Sequence, residues 1–202
     1  MATFQPDTTN TRYFYQLFSG SLVPRPIAWI TTLNEDGTIN LAPYSFFGGV
    51  NTRPPMVMVS IGRHEGQLKH TGQNISRTNE CVIHIPSEQH MDAVNKSAYK
   101  FEPNLSEVEV LDLPTVPSDV VATPSLEGAL VRIECKLNQV VDLPTNDMFI
   151  LDVVNLVIDD SILKDGIVDI KALNPVSRIG GNFYTLVGDV IQKPHPDNEF
   201  KR

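Results

Sequence analysis

The 202-residue sequence is poor in the residues that cross-link a chain or hold a metal. Its two cysteines, Cys81 and Cys135, have no CxxC spacing, so they make neither a disulfide framework nor a zinc site. Both fall in strand-like runs and are expected to be reduced packing residues. The histidines form no HExxH or similar cluster; His64 and His70 come nearest to a metal pair, and the expectation is no metal. Basic residues are also scarce, 16 Lys plus Arg against 24 Asp plus Glu, a net charge of −8. A nucleic-acid partner would need the opposite balance, whereas one small phosphate needs only one or two local cations. No apolar run approaches the roughly 18 residues of a membrane span. The start MATFQPDTTNTRYF lacks the basic-then-apolar order of a secretion signal. These absences lead to the expectation of a cytoplasmic protein with no nucleic-acid or membrane partner.

Standard catalytic signatures are missing too. There is no GxGxxG and no GxxxxGK[ST], so neither a Rossmann turn nor a P-loop is available. No serine sits in GxSxG, which removes the nucleophile elbow. Glycine, at 12, is outnumbered by 15 prolines, whose missing N–H donors fit short strands and loops better than long helices. The length suits one domain, residues 1–202, with a core at about residues 20–186 and short extensions at both ends.

What is present is alternation. Ala129 to Asn138 places Ala129, Val131, Ile133, Cys135 and Leu137 on one side and Arg132, Glu134, Lys136 and Asn138 on the other. That period of two predicts a strand with one buried and one wet face. Met148 to Ile158 reads as a central strand, and Ile27–Leu33, Met56–Ile61 and Cys81–Ile85 as further ones. Asp36-Gly37 predicts a hairpin returning along Thr38–Ala42, and Asp165-Gly166 another between 155–163 and 167–169. Short helices are expected over 66–78, weakened by Gly72, over 90–97 and over 13–17. Residues 102–125 form a Pro-rich connection, long enough that it should cover something or contact a partner. The architecture these signals predict is mainly β, an antiparallel barrel with a few short peripheral helices.

Three segments stand out chemically. Arg25-Pro26-Ile27-Ala28-Trp29-Ile30-Thr31-Thr32 faces Asn40-Leu41-Ala42-Pro43-Tyr44-Ser45-Phe46-Phe47 across the first hairpin. There Pro43 should break the ladder and free backbone groups and Ser45 for a ligand. Ser60-Ile61-Gly62 precedes Lys69-His70-Thr71, where an ammonium, a hydroxyl and helix-start N–H groups suit a phosphate. Arg178-Ile179-Gly180-Gly181-Asn182-Phe183-Tyr184 comes late in the chain. Plainer alternatives stand beside each: Trp29, Phe46 and Phe47 as core, Lys69 as a solvated charge, Gly180-Gly181 as a turn, Arg25 as a snorkelling strand start.

Taken together in order, these motifs, with Pro54-Pro55-Met56-Val57-Met58-Val59-Ser60 between them, resemble the flavin reductase-like family that includes flavoredoxin. The likeness runs from about Leu22 to Tyr184. It implies an FMN-binding split β-barrel working as a homodimer. By the same resemblance, Thr31, Thr32, Ala42, Pro43, Tyr44, Ser45, Phe46 and Phe47 would line the flavin, and Ser60, Lys69 and Thr71 would hold its phosphate. Arg178, Asn182 and Tyr184 would close the site, from the same or the second subunit. The family commonly has Lys-Asp-Thr where this chain has Lys69-His70-Thr71. That departure leaves the cation and hydroxyl in place but removes whatever the acid orients.

The resemblance implies an NAD(P)H-dependent flavin reductase, with NADH or NADPH as donor and the chemistry carried by the flavin, so no side chain is assigned a catalytic role. The alternatives are a non-enzymatic FMN electron carrier of flavoredoxin type, docking to a redox-partner protein, and a barrel that has lost its flavin.

Overall fold

Residues 1–101 and 105–193 are described by the computed structural model. The chain opens with helix α1 (Thr11–Ser21), where Asn10 Oδ1 caps the first turn by accepting from Tyr13 N at 3.2 Å. Strands β1 (Arg25–Pro26), β2 (Ala28–Leu33), β3 (Ile39–Tyr44), β4 (Phe47–Thr52) and β5 (Pro55–His64) follow, then the short β6 (Gln67–Leu68) and helix α2 (His70–Thr78). After β7 (Glu80–His84) come α3 (Met91–Lys96), α4 (Glu107–Val110), β8 (Thr115–Val116) and β9 (Ser125–Leu126). Two long strands, β10 (Val131–Asp142) and β11 (Asn146–Ile158), form the largest hairpin. The end of the chain holds β12 (Leu163–Lys164), β13 (Ile167–Val168), α5 (Ile170–Leu173), β14 (Ser177–Gly180) and β15 (Phe183–Thr185).

The main sheet runs β3-β2-β7-β10-β11-β5-β4, with β6 paired beside β5. Strands β3 and β4 therefore sit at opposite edges, yet only Ser45 and Phe46 separate them in sequence. Laid flat, seven strands would put those edges about 29 Å apart. Three Cα steps reach at most about 11 Å. The sheet must therefore roll until its edges approach, and the result is a split barrel whose seam is the chain from Ala42 to Phe47. Every pairing is antiparallel, as expected for hairpin-linked strands.

Several local expectations are corrected. Pro43 does not break the ladder: it sits in β3 opposite Trp29, on an edge strand where a missing N–H costs no partner. The helix expected from residue 66 starts at His70, because Glu65 and Gly66 take positive φ values of 51° and 77° and fold Gln67–Leu68 back onto Arg63–His64. Gly72, which lowers helix propensity, is where α2 meets the core. A Cβ there would lie 3.2 Å from both Leu68 Cδ2 and Phe149 Cζ. The helix expected over 13–17 extends over Thr11–Ser21.

The most informative correction is Glu134, expected on the wet face of β10. Glu134 keeps the outer face that alternation gives it, opposite Val82 and Asn155 and away from the core residues Ile133 and Cys135, and it is buried there because residues 119–121 fold over it. The Glu134 carboxylate accepts from the N–H groups of Asp119 (3.0 Å), Val120 (2.7 Å) and Val121 (3.1 Å), and from Asn155 Nδ2 (3.0 Å). Burial opposes its charge, but these donors outweigh burial and hold the carboxyl below the ordinary glutamate range. Glu80 accepts from Thr123 N at 2.8 Å, and Glu107 from Leu41 N at 2.8 Å. Three acids thus pin the long connection to the barrel, and Glu107 satisfies an N–H on the edge strand β3. Pro103 and its neighbours at 102–104 lie outside the described residues.

Cys81 and Cys135 are free, buried and directly opposite one another in the core. Trp29 is also core: it is 1% exposed, and its Nε1 donates to Ser97 Oγ at 2.9 Å at the C-terminal end of α3. His84, fully buried on β7, joins two layers: Nε2 accepts from Leu126 N at 3.0 Å, so Nδ1 carries the proton given to Trp29 O at 2.9 Å. Among the described residues no helix is long and apolar enough to cross a membrane.

Candidate functional site

Beneath the seam lies a knot of buried polar side chains from β2, β3 and α2. Thr32 Oγ1 accepts from Asn40 Nδ2 and Asn74 Nδ2, both at 3.1 Å. Thr71 Oγ1 is bonded to Asn40 Nδ2 at 2.9 Å and to the Tyr44 hydroxyl at 3.0 Å. Burial pushes the Tyr44 hydroxyl up to about 12, against the opposing effect of Thr71, so it stays protonated. Tyr44 and Thr71 therefore hold two hydroxyl protons and share one hydrogen bond. One O–H is left with no acceptor among the described residues, and it is suited to a ligand oxygen. Thr31 does not join this knot; it faces the other way and donates to Pro124 O at 2.8 Å.

Along the seam, Ala42, Pro43, Tyr44, Ser45, Phe46 and Phe47 are all half-buried. Phe46 O accepts from Ser60 N at 2.9 Å, while the N–H groups of Ser45 and Phe46 make no hydrogen bond to the described residues. Free backbone donors beside an aromatic ring can meet the polar edge of a heterocycle. Ser60 Oγ accepts from Asn146 Nδ2 at 3.0 Å. Lys69 precedes α2 as an exposed residue whose ammonium has no hydrogen bond among the described residues, and Thr71 follows one turn-start later. The first N–H groups of α2 have no intrahelical acceptors, as at any helix start.

His70, where the family commonly has Asp, lies close to Glu107. Burial raises the Glu107 carboxyl, and Leu41 N–H and His70 oppose the rise. An aspartate at position 70 would instead add a second negative charge beside that buried carboxyl.

Arg178, Asn182 and Tyr184 come together on the β14–β15 ribbon. Arg178 Nη1 donates to the Tyr184 hydroxyl at 2.5 Å, Nη2 bonds Gly181 O, and the guanidinium lies 4.5 Å from the Tyr184 ring centroid. Tyr184 in turn donates to Asn95 Oδ1 at 3.1 Å, and Asn182 is exposed at the turn. Because β14 pairs with β1, the ribbon reaches the seam within one chain. The contact is Arg25: Nε donates to Ser45 Oγ at 3.3 Å, and its guanidinium sits 5.5 Å from the Phe46 centroid. Arg25 and Asn40 lie in the facing segments that stand out in the sequence, Arg25 with a plainer alternative as a snorkelling strand start, whereas Asn74 and Glu107 gave no signal beyond being polar near apolar strands. Two open hollows flank the site, one of about 340 Å³ between Gly37–Ile39 and Val108–Thr115, the other of about 410 Å³ between Asn34–Asp36 and α2, where Asn74 reaches from the polar knot.

The chain was compared with known proteins. A family profile described as "Flavin reductase like domain" matches residues 19–172. An uncharacterized protein of Halalkalibacterium halodurans is 38% identical over 198 residues, 95% of each chain. Nitrilotriacetate monooxygenase component B from Bacillus cereus superposes with a TM-score of 0.93 at 32% identity, over 96% of this chain and 98% of the other. The Pseudomonas fluorescens 2-nitrobenzoate 2-nitroreductase NbaA gives 0.87 at 26% identity, over 97% and 96%. An FMN-binding protein from Thermus thermophilus shares the fold, with a TM-score of 0.77 at 16% identity over 96% and 100%. The rolled sheet, its half-open seam and these likenesses agree, and the chain belongs to the flavin reductase-like family.

Proposed function

We propose that this protein binds FMN along the Ala42–Phe47 seam and acts as an NAD(P)H-dependent flavin oxidoreductase. The observation that carries the reading is the half-open seam, with Ser45 and Phe46 N–H groups unpaired among the described residues above a knot whose Tyr44–Thr71 pair holds a surplus hydroxyl proton. Those donors fit the carbonyl and hydroxyl oxygens of a flavin and its ribityl chain. Lys69, Ser60, Thr71 and the first N–H groups of α2 would take the phosphate, and the Arg178–Tyr184 clasp forms the rim of the same site. Bound FMN would supply the hydride acceptor; the chain's residues position it, hold its edge and leave one face open for a nicotinamide.

A second copy of the chain fits this reading. The seam is open in the single chain, and Val50, Val140, Leu143, Val154 and Leu156 leave the edge strand and long hairpin with exposed apolar side chains. We propose a homodimer that covers this surface and closes the flavin site.

The phosphate assignment is tested by comparing FMN with riboflavin. Losing a charge-assisted contact costs about 1.5–3 kcal/mol, so Lys69→Ala should weaken FMN by roughly 10- to 100-fold. Riboflavin, which has no phosphate, should bind equally well to both proteins. Equal weakening of the two ligands would contradict the assignment, and a colourless protein that ignores both would contradict flavin binding itself.

A further inference from the structure

Arg25 and Arg178 are direct partners across the β1–β14 pair. Residues opposite one another in an antiparallel pair project from the same face with Cβ atoms about 5 Å apart, and like charges there are destabilising. No acid among the described residues forms an ion pair with either guanidinium. Among the described residues the ion pairs are the two that Arg63 makes with Asp142 and Asp147, although the chain carries eight more acids than bases. Burial, and then Arg178 more weakly than the counteracting Tyr15, bear on Arg25, and the balance lowers its pKa.

Each guanidinium is held in place without being used up. Arg25 is fixed by Ser45 Oγ, Ser19 O and Leu22 O, and lies over Phe46. Arg178 is fixed by Tyr184 and Gly181 O and lies over Tyr184. Arg25 Nη2 and Arg178 Nε make no hydrogen bond to the described residues, and both side chains are half-exposed. Two oriented, uncompensated guanidinium groups at one end of the seam match a ligand group with two negative charges better than a single carboxylate.

We propose that Arg25 and Arg178 form a paired-guanidinium subsite for the diphosphate of a nicotinamide dinucleotide. The subsite rests on the reductase reading above and deepens it: Ser45 and Phe46 belong to the flavin seam and also contact Arg25, so the pair would dock the reductant with its nicotinamide directed along the seam. Lys69 and the start of α2, whose Thr71 joins the polar knot, are left for the flavin phosphate.

The test uses FMN-loaded protein, reduced anaerobically by NADH, by NADPH and by N-benzyl-1,4-dihydronicotinamide, a hydride donor without phosphate. Arg25→Ala should slow second-order reduction by the better dinucleotide by about tenfold or more, the size of one lost charge-assisted contact. Reduction by the phosphate-free donor should fall by a much smaller factor, whatever Arg25 contributes to holding Ser45 and Phe46, because that donor makes no diphosphate contact. Arg25→Lys, which keeps one charge but loses the planar fork, should fall between. Equal slowing with both kinds of donor, with a lowered melting temperature, would show that Arg25 merely ties down the end of α1 and would overturn the proposal. So would no change with either.

Calorimetric titration with inorganic pyrophosphate decides the pair without any turnover. Wild type should bind it, and Arg25→Ala and Arg178→Ala should each weaken it by about tenfold or more. If dinucleotides fail to reduce wild type, the reductase reading fails; the pyrophosphate result still stands or falls separately. Pyrophosphate binding that survives both substitutions refutes the subsite.

Discussion

His84 gives the sharpest stability prediction. It is fully buried, bonded on both ring nitrogens, and neutral in the fold. Burial pulls its pKa from the ordinary 6.5 to about 4, outweighing the favourable bond to Trp29 O. The unfolded chain takes up the proton near pH 6.5, whereas the folded one does so only near pH 4, so between these values the unfolded state binds more protons. Stability therefore rises with pH across this window. The contribution is fully present above about pH 6.5 and is lost as the pH falls to about 4. At 1.36 kcal/mol per pH unit the difference amounts to about 3 kcal/mol, an order-of-magnitude figure. Carboxylates titrate nearby, so the assay is a difference: urea unfolding from pH 7.5 to 4.5 for wild type and for His84→Gln. Glutamine can serve Trp29 O and Leu126 N–H but cannot titrate. The variant should be less stable at pH 7.5 yet should lose about 3 kcal/mol less on acidification. Parallel pH profiles for the two proteins, or an NMR titration of His84 near pH 6.5, would refute the reasoning.

Glu134→Ala removes the shared acceptor of three backbone N–H groups, the buried one of Val121 among them, and of Asn155; the cost should be about 2–4 kcal/mol, read as a melting-temperature drop of roughly 5–15 °C. An unchanged melting temperature would mean that the 119–121 segment is not held there. Leu156→Glu places a charge on the exposed apolar hairpin and should convert a dimer of twice the chain mass into monomer by light scattering, with weaker FMN binding. A wild type that is already monomeric contradicts the dimer.

Individual strands and hairpin turns were legible because alternation and Asp-Gly turns act locally. Asn34 to Gly37 turns where its residue types require, and Cys81, Cys135 and Trp29 are buried as their neighbours' periodicity implies. What escaped depends on distant partners. Glu134 alternates like a surface residue, and it is buried only because residues 119–121 of another segment fold over that face and present their N–H groups. Pro43 looks like a strand breaker until β3 is known to be an edge. Arg25 gains meaning only when β14 returns from more than 150 residues later to set Arg178 across from it. Of the residues the family resemblance singled out, the seam, Thr32 and Thr71 converge, the Arg178 clasp meets them through Arg25, and Thr31 turns away to Pro124.

The central claim is most directly tested by anaerobic titration of the FMN-loaded protein with NADH and with NADPH, following the flavin band at about 450 nm. The account predicts that at least one nucleotide bleaches the band at about one equivalent per flavin, the stoichiometry of a single hydride transfer. A flavin that stays oxidised under excess of both, yet is reduced by a protein electron donor, would contradict the reductase and leave a carrier in its place.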